Sequence, residues 1–218
     1  MEVQGVSWNW SKLLRSMQAM HQSDFMSAMM ERREASGSGS PMGRTDCALL
    51  YALARWLRPR VVVETGGFLG MSSAFILKAQ ADAGVADGCV LSIEWMSDID
   101  HGALIPDELR GGYKPLVGRV EEFMKGGVLP ARIDLFLHDS SHRLRHMLRE
   151  FRFFFPRLRH GGLLVSHDVD MNAAFSSFVA STYKHDRIGQ ADPARTSHAL
   201  WGRIGNLGFM VKTDPRQS

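Results

Sequence analysis

The chain has 218 residues, of which 44% are hydrophobic and 22% charged, a balance that suits one medium soluble domain with a full central sheet. The formal charge of +3, with no basic run concentrated in a tail, makes no case for nucleic acid, and the two cysteines, Cys47 and Cys89, are too few for a secreted disulfide scaffold. No apolar stretch approaches the roughly 20 residues that span a bilayer, and the N-terminus lacks the basic start and apolar core of a signal peptide, so a cytoplasmic setting with reduced thiols is expected.

Trp10, Leu13, Leu14, Met17, His21, Phe25 and Met29 recur at helical spacing, which predicts one or two amphipathic helices over residues 8–34. The stretch ASGSGSPMGR (35–44) breaks that period and reads as a loop. Thr45 is placed to cap a helix that runs to Leu57 and stops before Pro59. Residues 1–44 thus form a helical preface with a substrate-side loop, and 45–218 the main domain.

From Arg60 onward strands and helices alternate. VVVET is a buried strand, MSSAFILKAQADAG a helix closed by Gly84, CVLSIEW a second strand and YKPLVGR a short third. VEEFMKGG is a short helix, RIDLFLHD a fourth strand, and a long helix is expected from about His142 to Arg157. GGLLVSHDV is a fifth strand, followed by a short helix near 172–182 and a polar loop around Pro193. HALWGRIG and LGFMVKT, joined by a tight turn at Asn206, close the chain as an antiparallel pair. The expected fold class is α/β: a Rossmann-like, mostly parallel sheet with helices on both faces and a C-terminal antiparallel pair.

In such a sheet, ligands bind beyond the strand C-terminal ends. The polar clusters fall at those ends: Glu64, Glu94, Asp139 with His142, and His167 with Asp168. The first loop, E-T-G-G-F-L-G, lacks the Lys-Ser/Thr ending of a phosphate-binding loop and does not fit G-x-G-x-x-G. Gly66, Gly67 and Gly70 let the backbone approach a ligand, while a carboxylate at Glu64 repels pyrophosphate and suits a cationic amino group. Glu94 stands where an acid accepts from ribose hydroxyls. A ligand with an ammonium group and a ribose but no phosphate is S-adenosylmethionine.

On these residues the sequence resembles the class I S-adenosylmethionine-dependent methyltransferases. Glu64, Gly66 and Gly70 match their E/D-x-G-x-x-x-G loop, and Glu94 the acid that ends their second strand. IDLFLHDSSH and GGLLVSHDV further resemble segments of the small metal-dependent O-methyltransferases, the group that includes catechol and macrolide-sugar enzymes. The resemblance implies a cofactor set of Glu64, Thr65, Gly66, Gly67, Gly70, Ser72, Ser73, Glu94, Trp95, Arg119, Val120 and Asp139. Trp95 stacks on adenine in that reading and belongs to the core in the plainer one.

The resemblance also implies a divalent metal, Mg²⁺ or another, held by Asp139, His167 and Asp168. His167 departs from the family, which has Asp or Glu there, and imidazole is a poor ligand for Mg²⁺. The alternative is that His167 and Asp168 merely cap the strand. His142, three residues after Asp139, occupies the place of a general base that takes the proton of a substrate hydroxyl, with Asp139 as its catalytic neighbour; otherwise it is a helix-terminal residue packed on Ser140.

The expected activity is O-methylation of a small molecule, a secondary metabolite, with metal assistance. The rivals are a metal-free N- or O-methyltransferase with His142 as sole base, and an inactive cofactor-binding partner subunit. The expected partner is a small-molecule substrate, without nucleic acid or membrane, and a homo-oligomer is allowed. The arginines of 143–159 read as a solvated helix face, with acidic-substrate binding as a lesser alternative.

Overall fold

The computed structural model describes residues 9–38, 42–183 and 201–213. The N-terminal amphipathic segment divides into two helices, α1 (Trp10–His21) and α2 (Asp24–Ala35), because Ser23 interrupts the first and caps the second, its Oγ accepting from Met26 N at 3.1 Å. Helix α3 (Arg44–Leu57) is capped by Gly43, so the helix starts ahead of Thr45. Asp46 therefore sits in its first turn and is buried there. Arg58 ends α3 in the left-handed conformation, directly before Pro59.

The alternating half follows as β1 (Val61–Thr65), α4 (Met71–Asp82), β2 (Cys89–Glu94), β3 (Tyr113–Val117), α5 (Val120–Gly126), β4 (Ile133–His138), α6 (Leu144–Phe154), β5 (Leu158–Ser166), α7 (Ala174–Thr182), β6 (Trp201–Ile204) and β7 (Leu207–Val211). Short 3₁₀ turns precede β3 and follow α6, so α6 is shorter than its apolar period suggests. The loop expected around Pro193 lies outside the described residues.

Among the described residues one seven-stranded sheet runs in the order β3-β2-β1-β4-β5-β7-β6. The first five strands in that order pair in parallel, while β7 runs antiparallel to both β5 and β6. Each face of the sheet is covered by helices. Leu13, Met20, Met26 and Met29 of the first two helices join Leu49, Leu53, Phe75 and Val62 in one core. The opposite core gathers Val120, Met147, Phe151, Phe154, Phe175 and Phe178 against Val63, Phe136 and Leu164. Phe136 and Phe154 stack there with centroids 4.1 Å apart.

The chain leaves β1 toward β2 on one side, whereas β4 and β5 build outward on the other. This reversal opens a crevice above the adjoining C-terminal ends of β1 and β4. Among the described residues no helix is long and apolar enough to cross a membrane.

Candidate active site

A pocket of about 800 Å³ occupies that crevice, lined by the loop after β1 and by residues at the ends of β2, β4 and β5. The loop is held down by its own backbone: Gly66 N donates to Ile93 O at 2.8 Å, and Asp139 N donates to Thr65 O at 2.9 Å. Gly66 has φ of +83°, and a Cβ there would lie 2.1 Å from the Asp139 carbonyl oxygen. A Cβ on Gly67 would lie 1.7 Å from Ser92 Oγ. Both glycines are thus required first by the close packing of this loop onto β4 and β2, with approach to a ligand as a consequence.

Glu64 sits beneath this loop and does not line the pocket. It is fully buried, and its carboxylate accepts from the hydroxyls of Ser72, Ser73 and Ser92. Burial raises its pKa, against the three hydroxyl donors. The sequence placed Glu64 opposite a ligand's amino group. In the fold its acceptor sites are directed at serines that pin the start of α4 to the ends of β1 and β2, because its side chain points down from the strand end.

The other expected cofactor residues divide similarly. Thr65, Gly66, Gly67, Ser72, Glu94, Trp95, Arg119, Val120 and Asp139 line the pocket, whereas Ser73 and Gly70 lie behind it. Gly70, with φ of +87°, begins α4 and packs against Gly102 and Ile105. The Glu94 carboxylate is braced by the backbone, accepting from Phe68 N and Met96 N, each at 3.1 Å. Trp95 is 65% exposed, so its indole belongs to the pocket wall and not to the core. A braced acid, an accessible indole and a closely packed glycine loop in one crevice form a donor and acceptor set that fits a ribose-bearing cofactor.

At the opposite wall, four side chains from β4, β5 and their following loops meet a fifth from α3. His167 Nδ1 lies 3.0 Å from Asp139 Oδ1 and 3.5 Å from Asp168 Oδ1. Its Nε2 faces Asp46 Oδ2 at 3.5 Å. His142 Nε2 lies 3.6 Å from Asp168 Oδ2 and 3.9 Å from Asp139 Oδ1. Asp168 reaches this position from a left-handed backbone with φ of +49°, a conformation that Asp tolerates better than bulkier residues.

The electrostatics of the two imidazoles diverge. Burial lowers the pKa of His142, outweighing the nearby carboxylates of Asp139 and Asp168. For His167 burial acts in the same direction, but Asp139, Asp46 and Asp168 overcome it and push the pKa up to about 10. Burial raises the Asp139 carboxyl, opposed by donation from His167.

The trio Asp139, His167 and Asp168 comes together in space but does not fit a divalent metal. Ligation needs a neutral imidazole with a free lone pair. His167 Nδ1 is committed to the Asp139 carboxylate, while Nε2, on the other edge of the ring, is buried without a hydrogen-bond partner 3.5 Å from Asp46 Oδ2, so no free lone pair is shared with Asp139 and Asp168. Among the described residues no group of three or more His, Cys, Asp or Glu is arranged to hold a metal ion.

Behind this wall lies a second polar cluster. Glu150 on α6 is fully buried and accepts from Thr65 Oγ1 at 2.6 Å, His138 Nδ1 at 2.8 Å, Ser140 Oγ at 2.8 Å and His146 Nε2 at 2.6 Å. Burial opposes its ionisation, yet the two imidazoles and the Thr65 hydroxyl bring its pKa down to about 2. The bond to Glu150 in turn raises His146. Asn172 ties the loop after β5 to the same wall, its Nδ2 donating to the His142 carbonyl at 2.6 Å.

Sequence reading missed Asp46, Glu150 and Asn172. A signal existed for Glu150, an acid on the apolar face shared by Met147, Phe151 and Phe154. Asp46 and Asn172 carried none, since their partners are distant in the chain. Arg143, Arg145 and Arg149 are exposed at the pocket rim, and Arg149 Nη1 donates to Glu121 Oε1 at 2.9 Å.

Residues 63–169, which carry the glycine loop, Glu94, Asp139, His142, His167 and Asp168, match the family model of a methyltransferase domain. This is a methyltransferase domain. The methyltransferase also shares its fold with solved relatives. TomG of Streptomyces achromogenes, an O-methyltransferase involved in tomaymycin synthesis and solved with S-adenosylmethionine, aligns at 18% identity and a TM-score of 0.63, over 95% of this chain and 97% of its own. The Podospora anserina methyltransferase PaMTH1, bound to SAH, aligns at 14% identity and a TM-score of 0.64, over 96% and 98% of the two chains. The O-methyltransferase of Bacillus cereus, in complex with SAH, aligns at 12% identity and a TM-score of 0.58, over 94% and 98%. No curated protein matches the sequence.

Proposed function

We propose that this methyltransferase uses S-adenosylmethionine to methylate a hydroxyl group of a small molecule, with His142 as the general base. The observation that carries the reading is the pairing, across one pocket, of the braced Glu94 carboxylate with the His142 imidazole.

When bound, the cofactor supplies a methyl group on a sulfonium, open to displacement by an oxygen nucleophile. Glu94 would hold the ribose hydroxyls, Trp95 would cover the adenine, and Thr65, Gly66, Gly67 and Ser72 would face the methionine part. Arg119, Val120 and Asp139 would complete that wall.

His142 acts on the acceptor. Its Nδ1 is buried, which leaves Nε2 as the nitrogen presented to the pocket. Burial keeps the ring neutral near pH 7, so it can take a hydroxyl proton as the oxygen attacks. The proton arrives on Nε2 beside the carboxylates of Asp168 and Asp139, which favour the imidazolium that forms. No step passes through a metal.

The fold likeness to TomG supports an acceptor drawn from secondary metabolism. The free thiols of Cys47 and Cys89 suit a reducing, cytoplasmic setting. The test is turnover of S-adenosylmethionine with a panel of phenols, catechols and sugars. Methyl transfer to an amine panel alone would favour N-methylation, and no transfer with any acceptor would favour the inactive binding subunit.

A further inference from the structure

We infer that the acceptor of this methyltransferase carries an acidic group, a carboxylate or a phosphate, which Arg143 and Arg145 hold at the pocket rim while its hydroxyl reaches His142. The inference rests on the reading of this pocket as a methyl-transfer site, and it is tested by binding, apart from turnover.

Arg143 follows His142 directly and precedes α6, and Arg145 lies in the first turn of that helix. Both line the pocket and both are exposed. Arg149, one turn further on, lines it too, but its guanidinium is paired with Glu121. Among the described residues neither Arg143 nor Arg145 has a carboxylate partner. Arg145 and Arg149 are also four residues apart on one helix, a spacing at which like charges disfavour the helix. Three guanidiniums with one carboxylate among them leave an excess of positive charge at this rim. The planar fork of a guanidinium matches the paired oxygens of a carboxylate or phosphate. Arg152, on the same helix, is exposed but lies outside the pocket, and so serves as a control.

The cofactor does not call for this charge. S-adenosylmethionine has no phosphate, its sulfonium is itself cationic, and its carboxylate belongs to the methionine part that faces Thr65, Gly66, Gly67 and Ser72. The inner wall carries the opposite sign: Asp139 and Asp168 flank His142 Nε2 at 3.9 and 3.6 Å. An acidic group is repelled there and attracted at the rim. The pocket therefore suits a molecule whose hydroxyl and acid lie at separate ends, whereas a neutral acceptor would leave the two arginines unused.

The test is calorimetry on the intact protein, with and without S-adenosylhomocysteine, using three matched series. Phenol is compared with hydroxybenzoate and hydroxyphenyl phosphate, catechol with dihydroxybenzoate and its phosphate counterpart, and glucose with glucuronate and glucose phosphate. In at least one series an acidic member should bind about 10-fold or more tightly than the neutral one, and less so as salt rises. Which acidic member binds best distinguishes carboxylate from phosphate. Arg143→Gln and Arg145→Gln should each erode that preference, and Arg152→Gln should leave it intact. All three side chains are exposed, so the variants should fold, which melting temperature checks. No preference for an acid in any series would overturn the inference, as would a preference that survives in the double Arg143→Gln, Arg145→Gln variant. So would an equal loss in Arg152→Gln, or a double variant that loses S-adenosylhomocysteine affinity in place of acid affinity. Acid binding without methyl transfer to any acceptor would sink the proposed function while leaving the acid site in place.

Discussion

His138, the last residue of β4, donates from Nδ1 to the Glu150 carboxylate of α6 at 2.8 Å, and both side chains are fully buried. The pair fastens the helix that carries the His142 wall to the strand that carries Asp139. Glu150→Ala strands four donors in the interior and should destabilise the fold by about 3–5 kcal/mol, the usual range for breaking a buried charge pair. Glu150→Gln keeps acceptor capacity and should cost less. The carboxyl pKa falls from 4.5 to about 2 on folding. Its contribution is therefore present above pH 4.5 and lost as the pH falls toward 2. Urea denaturation at pH 7 and pH 3 measures both effects, and Glu150→Ala should flatten the pH dependence.

Gly66 and Gly84 provide a matched pair of left-handed glycines, at φ of +83° and +63°. A Cβ on Gly66 meets the Asp139 backbone at 2.1 Å, while one on Gly84 meets nothing within 4 Å. Gly84→Ala should therefore cost only the conformational penalty, about 1 kcal/mol. Gly66→Ala adds a backbone clash and should cost about 3 kcal/mol or more, with loss of cofactor binding. Equal melting temperatures for the two variants would contradict the packing role given to Gly66.

Glu94→Ala should weaken S-adenosylmethionine binding about 10- to 100-fold, the effect of losing a charged hydrogen-bond partner worth about 1.5–3 kcal/mol. Calorimetry reads the change directly. Glu64→Gln should instead lower stability with little change in affinity, because that carboxylate lies below the pocket floor and binds the hydroxyls of Ser72, Ser73 and Ser92.

His142→Ala should slow methyl transfer by about 10²–10⁴-fold, the range for loss of a general base. Burial sets the pKa of His142 below 6.5, so the wild-type rate should hold as the pH falls through 6.5 and decline only below it. In the variant the residual rate should climb with pH as the acceptor hydroxyl ionises without help. Single-turnover kinetics between pH 5 and 9 check both limbs. A variant rate near that of wild type at pH 7 would reduce His142 to a structural residue.

The alternation of apolar runs with amphipathic helices determined the parallel sheet, its antiparallel close and the strand ends at which Glu94, Asp139, His142, His167 and Asp168 gather. Those features are local: hydrophobic period and chain order are written residue by residue. Which way each polar side chain turns is not. Glu64 and Glu94 both end strands, yet one lies under the glycine loop and the other faces the crevice, because neighbouring serines and backbone N–H groups claim them differently. The same holds for His167. The family resemblance implied a metal ligand at this position, but Asp46, more than a hundred residues earlier, comes within 3.5 Å of its second nitrogen only through the tertiary fold. A buried imidazole takes its charge from every carboxylate packed around it. Tertiary structure alone decides that set.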